Sequence, residues 1–546
     1  MARGDKLQLQ QQVHFLIVTY PAQGHVTPAR HLARRLVRGG ARATVCVPVS
    51  AFRKMFPAGE VEVDGEVGEE EGVAGVVAYA AYSDGYDGGS KVKHNIELSS
   101  GIPRIFNITK DIIHCTQPEW SVVMFSIKIF RDHLAFRFDR AVDDHTRYMA
   151  QVRTVGARTL AGVFRRLRDG GRPVTCAVYT LLLPWVADVA REYGVAATVV
   201  FWIQPATALV AYYHYFRGHR EAVVEAAASG DPCAEVSLPG HPPLRVRDLP
   251  SFLAITSDDD PFAFVLTEFR GLIDLLDRGG GDSGEPPTYV LANTFDAMER
   301  DALASLRPHI DVVAVGPVLS FLHDADETKS ASSPNDLFDH DGVGYLDWLG
   351  TKPPRSVVYI SFGSSSVMSK KQVAEIAAAM AEAKKPFLWV LRKDNCTDEE
   401  DAAAVKKLVA AAAIDGDDGM AVEWCDQPRV LSHPSVGCFV THCGWNSTLE
   451  SVACGVPVVA APQYSDQGTN AWLVERMGIG VRAAVRGEDG VLEAESLMRS
   501  VDAVMSEPVA ARAAAWKEAA AAAVADGGGS DRSLKEFVRR ICTSTD

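Results

Sequence analysis

The chain is predicted to be an α/β protein built as two doubly wound, parallel-sheet domains that face each other across a cleft. Three observations predict this. Short, uninterrupted apolar runs recur along the sequence, as expected of strands buried on both faces. Each run is followed by a loop and then a helical stretch, the alternation that makes parallel sheets with helices on both sides. At 546 residues the chain is also too long for one ordinary core.

The elements follow in order. Val13–Tyr20 is the first apolar strand. A helix is expected over about Pro28–Arg38, with Thr27 as N-cap, Pro28 as first helical residue and Gly39-Gly40 as its end. Ala43–Val49 is the next strand. The rhythm restarts with a strand at Ser356–Ser361, a helix at Lys370–Lys384 and a strand at Phe387–Leu391. Cys438–Thr441, Ser447–Ala453 and Val456–Ala461 then read as strand, helix and strand. A polar, charge-rich stretch at 323–344 marks a linker between domains at 1–322 and 345–525. The alanine-rich 509–525 is a strong helix, broken by Gly527-Gly528-Gly529, and a last helix at Ser530–Ile541 falls in a tail of 526–546. Ligands of such sheets bind at the carboxyl ends of the strands, so the cleft is the expected site.

Composition narrows the function. Apolar residues make up 47% and charged residues 23%, ordinary for a globular protein, and the net charge is −15. That charge disfavours nucleic acid and anionic membranes as partners. The opening MARGDKLQLQQQ lacks the apolar centre of a signal peptide, and no stretch approaches the ~18 apolar residues of a membrane helix. Ten cysteines without a C-x-x-C pair read as reduced thiols. A cytoplasmic monomer is therefore expected. Cys438, His442 and Cys443 lack a second ligand pair, so no metal is assigned to them. Asp258-Asp259-Asp260 precedes a proline with no strand leading in and reads as a solvated loop.

One segment departs from its surroundings. Lys91–Phe138 holds 8 isoleucines in 48 residues, against 10 in the other 498, and a single alanine, Ala135. No period of 2 or 3.6 runs through it. It reads as an insertion of different coding origin: translated intron or another gene-model error, with a lineage-specific loop as the alternative.

The densest chemistry lies in Trp424–Gln467, WCDQPRVLSHPSVGCFVTHCGWNSTLESVACGVPVVAAPQYSDQ. The strand ending at Thr441 leads through His442 and Cys443 to Gly444, where the backbone can turn tightly and approach a ligand. The helix that follows offers free N–H groups and a positive dipole end, which suit a diphosphate. His442 can add a donor, Trp424 can stack on a base, Glu450 can accept two ribose hydroxyls, and Asp466 with Gln467 can hold a sugar. Ser447-x-x-Glu450 is equally a capping box, and Trp424 and Trp445 could be core.

These 44 residues resemble the signature box of the plant secondary-product UDP-glycosyltransferases. The resemblance covers nearly the whole chain outside Lys91–Phe138, and implies the GT-B fold of two Rossmann-like domains with a last helix that crosses back to the first. It implies that Trp424 stacks on uracil and that Gln427 lies beside the nucleoside. It gives the diphosphate to His442, Asn446 and Ser447, the ribose to Glu450, and the sugar to Trp445, Asp466 and Gln467. Gln at the last position of the box resembles the glucose users, where galactose users tend to have His.

Two further pieces complete the pattern. Pro21-Ala22-Gln23-Gly24-His25 follows the first strand, and His25 stands beside a helix N-terminus whose dipole keeps its imidazole neutral and basic. It matches the family's catalytic His. In Ser361-Phe362-Gly363-Ser364, Ser364 matches a phosphate contact. One position departs. Many relatives have an Asp that orients the catalytic His, and here that position is Thr180, which can hydrogen-bond the ring without stabilising an imidazolium. The stretches around Thr180, Ser83–Asp87 and Trp202–Thr207 most resemble the branch of anthocyanin 5-O-glucosyltransferases, crocetin glucosyltransferases and enzymes that make glucose esters of auxin-like acids, which commonly share the Thr. The implied activity is inverting transfer of glucose from UDP-glucose, without a metal, to a hydroxyl or carboxylate of a small apolar or aromatic plant metabolite. The alternative reading is a non-catalytic UDP-sugar binder disabled by the insertion. A nicotinamide dehydrogenase is disfavoured, because no G-x-G-x-x-G follows the first strand.

Overall fold

The computed structural model describes residues 13–56, 66–72, 75–87, 145–257, 260, 262–278, 287–322, 344–364, 366, 368–392, 407, 418–486 and 490–544. The Lys91–Phe138 segment, Asp258 and Asp259, and the linker at 323–344 apart from Gly344 lie outside the described residues.

In chain order the strands are β1 (His14–Val18), β2 (Arg42–Pro48), β3 (Glu66–Gly72), β4 (Gly75–Tyr82), β5 (Cys176–Thr180), β6 (Ala197–Trp202), a short pair β7 (Glu235–Val236) and β8 (Leu244–Arg245), then β9 (Thr288–Ala292) and β10 (Val312–Ala314). The second half supplies β11 (Val357–Ser361), β12 (Phe387–Val390), β13 (Gly419–Val422), β14 (Val436–Thr441), β15 (Val458–Ala460) and β16 (Gly480–Arg482). One sheet runs β10-β9-β6-β5-β1-β2-β4-β3 and the other β13-β12-β11-β14-β15-β16, with β7 and β8 as a separate ribbon. The pairings in both large sheets are parallel, except that β3 is antiparallel to β4. All five residues of β1, β5 and β11 are buried, as their uninterrupted apolar composition requires.

The first helix differs from expectation. It spans Gln23–Arg38, starting one turn before Thr27-Pro28, with Ala22 as N-cap and Pro28 inside. Pro28 is tolerated because only one backbone bond is lost, the one its missing N–H would make to the carbonyl of Gly24. The helix after β14 likewise starts earlier, at Trp445, and runs to Cys454.

One large core fills the first half, two clusters fill the second, and a third joins Phe295, Met298 and Leu319 of the first half to the second. The last helix, Gly529–Ser544, belongs to the first core by packing: Leu534, Phe537, Val538 and Ile541 are buried there. Ser530 Oγ donates to Gly316 O at 2.6 Å, Arg540 pairs with Asp311 at 2.8 Å, and the Phe537 ring meets Tyr289 of β9 edge-on at 5.5 Å. Phe537→Ala should therefore lower folding stability by about 3–5 kcal/mol, read as a reduced denaturant midpoint with the native circular dichroism retained before the transition.

Candidate active site

Strand order reverses once in each large sheet. β1 has β2 on one side and β5 on the other, and β11 has β12 and β14. At such switch points the loops after the two strands part and leave a crevice at their carboxyl ends. The first crevice is bounded by the turn into the Gln23–Arg38 helix, which carries His25, and by Thr180 at the end of β5. The second is bounded by Phe362–Ser364 after β11 and by His442–Ser447 after β14.

In the first crevice His25 Nδ1 lies 2.8 Å from Thr180 Oγ1, which also accepts from Tyr20 N–H at 3.3 Å. Tyr20 packs its ring against the imidazole at 5.4 Å. Burial lowers the His25 pKa to about 3, so the ring is neutral at pH 7. Thr180 is fully buried and the described residues give His25 no carboxylate partner.

In the second crevice His442 stands between two glycines. A Cβ on Gly363 would lie 2.5 Å from Cε1 of the ring, and one on Gly444 2.5 Å from Nε2. Gly363 also has φ +73, so it is needed twice over. Arg392, buried just beyond β12, donates to Gly363 O and, at 3.1 Å, to Ser366 O, and so pins the loop that carries Ser364. Burial, with Arg392 nearby, lowers the His442 pKa to about 4. Gly444 is the N-cap of the Trp445–Cys454 helix and no side chain caps it. The capping-box alternative is thereby set aside. Ser447 lies within the first turn, and Glu450 instead accepts from Gln427 Nε2 at 2.6 Å. Gln427 Nε2 also reaches Ser447 Oγ at 2.9 Å, and Tyr359 O–H donates to Gln427 Oε1 at 3.2 Å. Trp424 is half-buried in the loop three residues before Gln427.

The two crevices meet. Asn446 Nδ2 donates to Gly24 O at 3.3 Å, the carbonyl that Pro28 leaves without its helical donor. Two helix N-termini, both without side-chain caps, thus converge beside His25. The Trp445 side chain is buried and its indole N–H donates to Asn293 O at 2.9 Å, which ties the halves together and leaves the residue's backbone at the start of the helix. Asp466 and Gln467 are buried at the start of the Gln467–Met477 helix after β15. Gln467 Oε1 accepts from Gln463 and Tyr464 N–H at 2.8 and 3.2 Å, which orients its Nε2 as the outward donor. Asp466 accepts from Asn470 at 2.8 Å, and burial pushes its carboxyl up to about 6.

The first half contributes three further loops at the carboxyl edge of its sheet. Asp84 is buried in an Asx turn with Tyr86 N–H at 2.9 Å, and burial raises its carboxyl to about 6. Leu182, in the turn after Thr180, holds φ +71. The Trp202–Thr207 turn is fixed by a residue that the sequence did not single out: the buried Glu299 accepts from Ala206 N–H, Thr207 N–H and Thr207 Oγ1 at 2.8–2.9 Å. Arg392 and Asn293 also escaped notice. Each is a polar residue directly after a buried apolar run, and that position is the one signal that could have found them. Among the described residues no group of three or more His, Cys, Asp or Glu is placed to hold a metal ion. Cys438 and Cys443 are buried in different clusters.

Comparison with known proteins agrees with this geometry. The family described as UDP-glucoronosyl and UDP-glucosyl transferase matches residues 345–515. UDP-glycosyltransferase 75C1 of Solanum lycopersicum is 39% identical over 98% of this chain and 99% of its own. A chloroplastic crocetin glucosyltransferase of Gardenia jasminoides is 38% identical over 97% of each chain. The crystal structure of Os79 from O. sativa in complex with UDP superposes with a TM-score of 0.72 at 27% identity, over 96% of this chain and 100% of that one. With its two sheets, facing switch points and these relatives, the chain belongs to the plant UDP-glycosyltransferases of GT-B fold.

Proposed function

We propose that the enzyme moves glucose from UDP-glucose, with inversion, to a hydroxyl or carboxylate of a small flat or extended apolar metabolite. Residues 1–322 would bind the acceptor, 345–525 the donor, and 526–546 the first half again. The observation that carries this reading is the His25–Thr180 pair, 2.8 Å apart, where Asn446 reaches Gly24. With Nδ1–H donating to Thr180 Oγ1, Nε2 keeps a lone pair for an acceptor proton. The acceptor oxygen attacks the anomeric carbon from the face opposite UDP, and UDP departs. The uncapped start of the Trp445–Cys454 helix, with Asn446, Ser447, His442 and Ser364, stabilises the leaving diphosphate, and no metal is required. Thr441 Oγ1, 3.3 Å from His442 Nδ1, can donate there and leave Nε2–H for a phosphate oxygen. Trp424, Gln427 and Glu450 hold the nucleoside. Asp466 and the Nε2 of Gln467 hold the sugar, to which Trp445 offers its backbone.

A neutral His25 beside a hydroxyl is a weak base, and the donor's diphosphate charge raises its basicity when bound. A carboxylate acceptor needs no proton removed, since its reference pKa is about 4. A carboxylate acceptor would therefore lean less on His25 than a hydroxyl would. A cytoplasmic monomer remains our reading; the eight described cysteines are free thiols, as a reducing compartment would keep them, and no described helix is long and apolar enough to cross a membrane. No finding favours the non-catalytic alternative.

Three measurements test the assignment. His25→Ala should cost about 10²–10⁴ in rate on a phenol and distinctly less on a carboxylic acid, with UDP affinity retained. Equal losses on both acceptors would remove the general-base role. Gln467→His should weaken glucose use and shift donor preference toward galactose, which differs in one hydroxyl; an unchanged preference places Gln467 outside the sugar site. Asp466 accepts sugar hydroxyls as a carboxylate, and its pKa is raised, so the charged form is lost as pH falls through about 6. Affinity for UDP-glucose should decline across that range in the wild type and not in Asp466→Asn, as titration calorimetry at pH 5 and pH 7.5 would record.

A further inference from the structure

Asp466 and Gln467 are gripped from outside their own sheet. The segment Arg247–Ser251 belongs to the first half, where the adjacent Leu249, Phe252 and Leu253 are buried in the large core. It lies against the start of the Gln467–Met477 helix. Ser251 N–H donates to Ser465 O at 2.8 Å, and Ser465 N–H donates to Ser251 Oγ at 2.7 Å. Thr469 Oγ1 donates to Asp248 O at 2.7 Å. Arg482, at the end of β16, donates to Asp248 Oδ1 at 2.6 Å, to Arg247 O at 3.0 Å and to Gly468 O at 2.8 Å. The approach is so close that a Cβ on Gly468 would lie 2.5 Å from Arg247 O. These contacts bracket Asp466 and Gln467 on both sides.

Two physical points suggest that the grip serves geometry more than stability. The Asp248–Arg482 pair is 2% and 13% exposed. Burial pushes the Asp248 carboxyl up and the Arg482 guanidinium down, each against its charged form, so the pair returns little net stability. Ser465, directly before Asp466, holds φ +60, a conformation that a non-glycine residue keeps only where its surroundings over-determine it. The two backbone bonds to Ser251 do so.

We infer that Asp248, Ser251 and Arg482 are positioning residues for the donor sugar: they fix the Ser465–Thr469 turn against the acceptor-binding half, and so set where the anomeric carbon stands relative to His25. This rests on the proposed sugar contacts of Asp466 and Gln467. The nucleoside contacts Trp424 and Gln427 follow β13, at the opposite edge of the sheet from β16. The latch therefore acts on the sugar and not on the nucleotide.

The test compares Asp248→Asn, which keeps the shape and removes the charge, with the milder Ser251→Ala and with Asp466→Ala. UDP affinity is measured by calorimetry, and kcat and KM with UDP-glucose by UDP release. In Asp248→Asn, UDP affinity should stay within about threefold while kcat/KM falls about 10- to 100-fold, and Ser251→Ala should show the same split at smaller size. Parallel loss of UDP affinity and kcat/KM in both variants, or no loss of kcat/KM, overturns the inference. If Asp466→Ala itself leaves kcat/KM intact, the sugar-site reading fails and the latch with it. If Asp466→Ala is impaired while Asp248→Asn and Ser251→Ala are not, only the latch fails.

Discussion

Every strand of a parallel sheet delivers its carboxyl end to the same edge, and a reversal of strand order opens a gap at that edge. This chain contains the arrangement twice, at β1/β5 and at β11/β14. What joins the two gaps is a missing hydrogen. Pro28 cannot donate to Gly24 O, so that carbonyl is open to the side chain of Asn446 from the other half. Had residue 28 carried an N–H, the first helix would have closed on itself and the contact would compete with a helical bond. This vacancy in a hydrogen-bond ladder gives the two gaps a direct contact beside His25, alongside the Trp445–Asn293 bond and the contacts of Arg247–Ser251.

Where the two crevices meet, around His25 and His442, dipoles predominate over charges. Two histidines are neutral, two helix ends are uncapped, and the residue that orients His25 is a hydroxyl. Such an arrangement can attract an anion without an opposing ion, with its donors already in place. The buried cation nearby, Arg392, spends its donors on backbone carbonyls and shapes the loop it touches.

Much of this was legible in the sequence, and the exceptions have physical reasons. Apolar runs marked β1, β11 and β14 to within two residues, because burial on both faces confines polar residues to the strand ends, as with His14, Ser361 and Thr441. The start of the first helix was misread because Thr27-Pro28 is a good beginning in isolation; tertiary contacts carried the helix back to Gln23, where its open end faces the cleft. Ser447-x-x-Glu450 looked like a capping box because spacing cannot reveal that Gln427, twenty residues upstream of Ser447, competes for both side chains. The motif gave no sign that the Trp445 indole bonds Asn293, a partner 152 positions away. Glu299 and the Asp248–Arg482 pair depend on contacts of 92 and 234 positions, beyond any local pattern.

The last helix completes a core that the first half cannot complete alone. Phe537 and Ile541 are fully buried among side chains of strands such as β9, made some 250 residues earlier. During synthesis the N-terminal half therefore emerges with an apolar groove along its sheet, and the groove stays open until the final residues leave the ribosome. At about 5–20 residues per second that interval lasts on the order of tens of seconds. A ribosome that stalls before the last helix is made leaves a product with that surface still bare.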